Sequence, residues 1–212
     1  MKKEKIFFVV LLSVVTILLA TRLFVVDVVR VPQDSKCPRA GKLSFVGRWS
    51  YGYRLPWKAT SRISYSLGKR NDWVAYNQPV TSRDEQADTT AVRVGMLAAI
   101  PGDTIWYNNE SGSISVKPDK KHGFSHPLIV PAKGQKIAIN NDNMRFYAVL
   151  ITLHEPVKAT VVDGALCVSG EMVKQYTFQH DYYWVENGDK KNPSDSRTYG
   201  FVPHASLIGR IL

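Results

Sequence analysis

The longest apolar run in the chain, Ile6 to Ala20, follows a basic start, Met1-Lys2-Lys3-Glu4-Lys5. After Thr21 and Arg22 the run resumes as Leu23-Phe24-Val25-Val26. A bilayer core takes about twenty apolar residues of helix, so residues 6–26 have the length of a membrane span. Arg22 lies close enough to the far end for its long stem to reach the interface. A cleavable export signal shares the basic start and apolar centre. Against that reading, Leu18 stands where a small residue should precede a cut after Ala20, and the apolar run continues past it. The pattern predicts an uncleaved transmembrane anchor over 6–26. Residues 1–5 are then a cytoplasmic tail and the remaining chain is extracytoplasmic, as the positive-inside rule orders it.

Beyond the anchor, helix-period patterns are scarce, and short Val/Ile/Tyr/Trp-rich runs broken by Gly, Pro and Asn dominate, which predicts a mostly β body. Asp27 to Pro32, Asp72 to Tyr76, Val92 to Ile100 and Tyr182 to Val185 read as strands. Pro101-Gly102-Asp103 closes the third of these as a turn, since Pro presets φ and Gly permits φ > 0. Residues 104–177 continue as short strands and loops and are taken as a smaller inserted lobe, leaving 27–103 and 178–212 as the main body. Arg48 to Lys58 interleaves aromatic and cationic side chains. Two readings stand there: a belt at the membrane–water interface, or β packing with rings inward and cations outward.

Charge narrows the partners. The 212 residues carry 28 Lys and Arg against 18 Asp and Glu, a net +10. No zinc pattern, helical basic stripe or nucleic-acid module accompanies that surplus, so it points to anionic lipid headgroups and away from nucleic acid. Two cysteines, Cys37 and Cys167, imply no disulfide framework; they either pair or stand as independent thiols. His122 and His126 are spaced for one helix face, but Gly123 and Pro127 oppose a helix, and neither a metal nor a cofactor is expected. Asn109-Glu110-Ser111 matches a glycosylation acceptor, relevant only in a eukaryotic secretory pathway.

The stretch Gly188 to Pro203, GDKKNPSDSRTYGFVP, reads physically as a polar turn feeding a short strand, with Asp195 and Arg197 able to pair as carboxylate and fork. It also resembles the C-terminal signature of bacterial signal peptidase I. Four further blocks resemble that family in the same order: Arg30 to Pro38 (RVPQDSKCP), Ser50 to Pro56 (SYGYRLP), Asn71 to Pro79 (NDWVAYNQP) and Leu97 to Asp103 (LAAIPGD). The resemblance implies a body of coiled β-sheets lying on the bacterial cytoplasmic membrane behind a single-pass anchor. A Ser–Lys dyad there cuts signal peptides from exported preproteins: a serine hydroxyl needs a base, and a lysine deprotonated by burial can be one. The oxyanion of the acyl intermediate needs donors aimed at it.

Carried over residue by residue, the resemblance makes Ser35 the nucleophile. Gln33 stands where the family has an oxyanion-supporting Ser, and Asp34 replaces a Gly beside the hydroxyl. The general-base Lys belongs six residues before the Pro of Pro-Gly-Asp, and that position is Gly95. The Ser that would orient the Lys falls on Pro193, or on Ser194 after a one-residue shift. Arg93, two before Gly95, keeps its proton and contributes charge alone. The expectation is a divergent signal peptidase I homologue lacking the catalytic Lys, with peptidase activity lost or reduced. It would act on signal peptides, exported preproteins or surface-protein polypeptides; any partner peptidase is unnamed by the sequence. The alternative is an active serine endopeptidase that cleaves signal peptides through Ser35 with a different base.

Overall fold

The chain enters as one helix, α1 (Lys2–Phe24), and turns almost at once into strand β1 (Val26–Arg30). The computed structural model describes residues 2–33, 35–55, 58–81, 91–108, 110–111, 113–189 and 193–212. In α1 the 20-residue segment Lys3–Arg22 has a mean hydropathy of 2.2 and none of it is buried, so by length and composition it can cross a membrane. At about 1.5 Å per residue it spans roughly 30 Å. The hydroxyls of Ser13, Thr16 and Thr21 each donate to the carbonyl four residues back at 2.8 Å. Those side chains therefore leave no unsatisfied donor on the apolar helix surface, as a membrane span would require.

The body follows as β2 (Leu43–Gly47), β3 (Tyr53–Leu55), β4 (Lys58–Ile63), β5 (Trp73–Asn77) and β6 (Val92–Ala99). The segment expected as a lobe, 104–177, runs through β7 (Thr104–Asn108), β8 (Ile114–Ser115), β9 (Phe124–Ile129), β10 (Lys136–Ala138), helix α2 (Met144–His154), β11 (Ala159–Val162), β12 (Ala165–Val168), β13 (Glu171–Met172) and β14 (Gln175–Thr177). The chain returns through β15 (Tyr182–Glu186), the single turn α3 (Ser196–Tyr199), β16 (Val202–Pro203) and β17 (Leu207–Ile211). Seven strands form the main sheet in the order β1-β2-β17-β5-β6-β15-β16, paired antiparallel throughout. The sheet curls into a half-barrel, and the protein is mostly β, as the sequence predicts.

Strand β15 is buried on both faces, and its period-two alternation divides the core. Tyr182 and Trp184 pack with the lobe around Ile105, Leu128, Tyr147, Ile151 and Phe178. Tyr183 and Val185 pack the other way, onto Tyr51, Val74, Tyr76 and Leu97. A smaller cluster of Val31, Cys37 and Val94 fastens the segment after β1 to β6.

Helix α2 departs from the expectation of strands and loops over 104–177. Its β-branched residues favour a strand locally, but Tyr147, Ala148, Leu150 and Ile151 fall on one helical face and are buried. Asn140 sets the entry, its side chain accepting from the backbone of Asp142 and Asn143 at 3.0 Å. Tertiary burial outweighs propensity here. The Arg48–Lys58 segment resolves in part: Tyr51 and Tyr53 are buried, whereas Trp49 stays half exposed and stacks on Tyr53. Its Trp57 lies outside the described residues, as does Asn109 of the acceptor motif. Cys37 and Cys167 are both free thiols. His122 pairs with Asp119 and His126 stacks on Tyr107, so the two imidazoles serve different neighbours.

A buried polar knot joins β3–β4 to the chain's end. The Arg62 guanidinium donates to the carbonyls of Gly52, His204 and Leu207. His204, 3% exposed, donates from Nε2 to the Tyr51 carbonyl at 3.0 Å. Its Nδ1 then accepts from the Tyr183 hydroxyl at 3.1 Å, which itself accepts from Gly68 N–H. The neutral imidazole completes that pattern with both ring nitrogens and the Tyr183 hydroxyl proton paired. Burial, reinforced by the Arg62 charge, pulls the His204 pKa from 6.5 down to about 4. The unfolded chain binds the proton more readily, so this stability is complete above pH 6.5 and is lost as pH falls towards 4. The shift corresponds to about 3 kcal/mol. Urea unfolding at pH 7 and pH 4 should show His204→Gln with a pH dependence flatter than the parent by roughly that amount.

Candidate functional site

Ser35 sits in the turn after Val31-Pro32, at the end of β15 and against the C-terminal tail. The residue is 7% exposed. Its hydroxyl accepts from Cys37 N–H at 3.1 Å and faces the Asn187 carbonyl at 3.4 Å, a long contact. The same carbonyl accepts Lys36 N–H at 3.0 Å. Asn187 thus grips the Ser35 turn by its backbone. Gly188 completes the fit: its φ is +83°, and a Cβ there would meet Lys36 Cβ at 2.6 Å. The Lys36 stem consequently lies over Gly188.

The tail holds Asn187 in turn. The Asp195 carboxylate, fully buried, accepts from Asn187 N–H at 2.8 Å and from Arg197 N–H at 3.0 Å. It also takes the Arg197 guanidinium at 2.6 Å, while that guanidinium reaches Asn187 Oδ1 at 3.1 Å. The Asp195 side chain bonding to Arg197 raises the guanidinium's already high pKa, so its charge is permanent. Ser196 Oγ accepts Val185 N–H at 2.9 Å, locking the single turn α3 to β15. Nearby, the buried Tyr76 hydroxyl has no partner among the described residues, and burial followed by the Asp195 charge keeps it protonated.

The other positions fall as follows. Gly95 lies in β6 opposite Val74. A Cβ built on it would come within 2.5 Å of Val185 Cγ1 and 3.2 Å of the Glu186 carbonyl oxygen. Its neighbour Val94, on the opposite face, is the residue that packs on Val31 and Cys37 of the Ser35 segment. Arg93 gives both guanidinium contacts to Gln78 and lies over the Tyr199 ring. Gln33 is exposed with its stem against Gly41. Ser194 is half-buried in the tail, and Asp34 lies outside the described residues. The aspartates of the two middle blocks act as turn braces: Asp72 accepts from Tyr51 Oη and Lys69 N–H, and Asp103 from Ile100 N–H and Arg70.

The structure therefore joins Ser35 to the tail, and does so through Asn187, which sequence reasoning missed. The available signal was an Asn directly before a Gly, a turn dipeptide at a strand's end. Among the described residues the Ser35 hydroxyl meets only backbone groups, and neither can take its proton. No lysine amine or imidazole among the described residues bonds to it.

The family model described as signal peptidase, peptidase S26, matches residues 4–212. The chain belongs to the signal peptidase family. It is 24% identical to the signal peptidase I of Buchnera aphidicola subsp. Baizongia pistaciae (strain Bp), with 94% of this chain and 72% of that protein aligned. It is 21% identical to the signal peptidase I of Buchnera aphidicola subsp. Schizaphis graminum (strain Sg), over 89% of this chain and 67% of that protein. The match spans nearly all of α1, the Ser35 segment and the tail.

Removing one partner of a buried charge pair strands the other. Asp195→Ala should lower unfolding free energy by about 3–5 kcal/mol, whereas Ser196→Ala should cost about 1–2 kcal/mol. Denaturant melts of the two variants beside the parent check this ordering.

Proposed function

We propose that this protein is a membrane-anchored signal peptidase homologue that binds signal peptides or exported polypeptides with its peptidase activity lost or much reduced. The observation that carries the reading is the surroundings of Ser35: the described residues supply its hydroxyl with a backbone donor and a backbone acceptor, and no base. A serine without a base is a poor nucleophile. The Gly95 position adds support, because the Val185 methyl and Glu186 carbonyl stand where a side chain would begin. Substrate polypeptide would add as an extended strand, with main-chain pairing supplying affinity.

In this reading α1 spans the bacterial cytoplasmic membrane with Lys2, Lys3 and Lys5 inside and the β-body outside. Lipid contact is supported by the β1–β2 hairpin directly behind α1, whose outward face exposes Val28, Leu43 and Phe45 beside Arg30. Basic side chains beside apolar ones suit an anionic headgroup layer.

The second reading, an active endopeptidase using Ser35, draws on the hydroxyl's burial beside the retained tail. A signal-peptide cleavage assay separates the two. The parent should bind the substrate yet give no turnover above its Ser35→Ala variant; Ser35-dependent cleavage by the parent would sink the proposal. Gly95→Lys alone should destabilise the fold by about 1–3 kcal/mol through overpacking. Adding Val185→Ala removes the blocking Cγ1 methyl, so the double variant is the proper trial of an amine restored at that position.

A further inference from the structure

A cavity of about 520 Å³ opens between α2 and the far side of the tail, sharing with the Ser35 site only tail residues. That volume falls in the range of small-ligand sites, about 300–1,000 Å³. Its apolar wall is made by Phe146, Val149 and Leu150 of α2 with Trp184 and Phe201 across from them. Val149 is 41% exposed although it lies on an otherwise buried helix stretch, so this wall has apolar surface still open to water.

The charges are unbalanced. Arg145, Arg197 and His154 line the cavity, and among the described residues no carboxylate does. The Arg197 guanidinium is matched by Asp195. His154 is kept neutral near pH 7, because burial lowers its pKa against the opposing hydrogen bond with Val80. Among the described residues, Arg145 is thus the cavity cation with no ion pair. Its guanidinium is oriented by two rings, lying 5.1 Å from the Tyr107 centroid and 4.7 Å from that of Phe146. Ring contact holds the planar group in place while leaving its N–H edge for a planar anion, the arrangement that favours bidentate carboxylate binding.

We infer that this cavity binds the C-terminal end of an apolar peptide, with the terminal carboxylate on Arg145 and the last side chains against Phe146, Val149 and Trp184. A peptide is favoured over an alkyl acid because Thr81, Ser113 and Thr198 put hydroxyls on the same walls. Peptide N–H groups can donate to those hydroxyl oxygens, which keep a spare lone pair although Thr198 already donates to the Pro193 carbonyl and Ser113 pairs with Ser111; an alkyl chain offers them nothing. The inference rests on the α2 cavity and is independent of whether Ser35 is catalytic.

The test uses the full chain in detergent micelles and fluorescence anisotropy of an N-terminally labelled peptide ending Ala-Leu-Phe. The free acid should bind saturably and at least about tenfold more tightly than the C-terminal amide, the share of one charge-assisted pair. Arg145→Gln should reduce the acid to the amide's affinity, Arg145→Lys should keep part of the difference, and Val149→Trp should fill the cavity and weaken both peptides. Arg145 and Val149 are exposed, and thermal melts of each variant confirm that the fold is kept. Equal binding of acid and amide by the parent, or unchanged acid binding by Arg145→Gln, overturns the inference. Displacement of the labelled acid by decanoate at lower concentration than by the unlabelled peptide assigns the cavity to a free aliphatic acid and overturns it equally.

Discussion

The Asp195 carboxylate, withdrawn completely from solvent, governs the geometry at the open end of the main sheet. A buried charge survives only when paired and hydrogen-bonded, and Asp195 is both, through Arg197 and the Asn187 amide. Satisfying it forces the chain after β15 to double back on itself. That return places the Asn187 carbonyl where it takes Lys36 N–H and faces the Ser35 hydroxyl. The position of Ser35, far away in sequence, is thus set by the electrostatics of a tail aspartate. Among the described residues the Ser35 turn has no other backbone anchor on that side.

Strand β15 explains why this end is rigid. Its side chains alternate into two cores, Tyr182 and Trp184 towards the lobe and Tyr183 and Val185 towards the body. A strand clamped on both faces cannot shift register without moving its whole buried set to the wrong side. Val185 belongs to that clamp, and it is the group that closes the space over Gly95. The absence of a side chain at Gly95 and the presence of a branched one at Val185 are complementary halves of one packed contact. A larger residue at 95 has to displace core, not solvent.

Much of the scaffold was legible in the chain. The N-terminal apolar helix, the mostly β body and the turn at Pro101-Gly102-Asp103 follow from periodicity and from the φ preferences of Pro and Gly. Other features were not, for identifiable reasons. Helix α2 is rich in β-branched residues and earns its state from burial of Tyr147, Ala148, Leu150 and Ile151 against partners distant in sequence. Arg62 sits in a basic stretch that reads as a solvated loop, yet its guanidinium is spent on carbonyls of Gly52, His204 and Leu207. Asn187 works through its backbone carbonyl, and a backbone role leaves no signature in residue type. The side-chain direction at Gly95 depended on pairing register with β5 and β15, which sequence spacing alone does not set.

These constraints bear on what a serine can do at position 35. A base must reach the hydroxyl from somewhere, and among the described residues these are the groups around it. The Asn187 carbonyl fills the acceptor position, Cys37 N–H fills the donor position, and the Lys36 stem is laid over Gly188. On the sheet, the residue facing the Ser35 segment is Val94, an aliphatic side chain already packed on Cys37 and Val31. Among the described residues these groups are backbone and hydrocarbon, and they stabilise the turn that carries the hydroxyl. The tail that holds the Ser35 turn also walls the α2 cavity through Ser196 and Arg197. One segment therefore touches both the Ser35 turn and that cavity, and its Asp195–Arg197 pair ties the geometry of the one to the other.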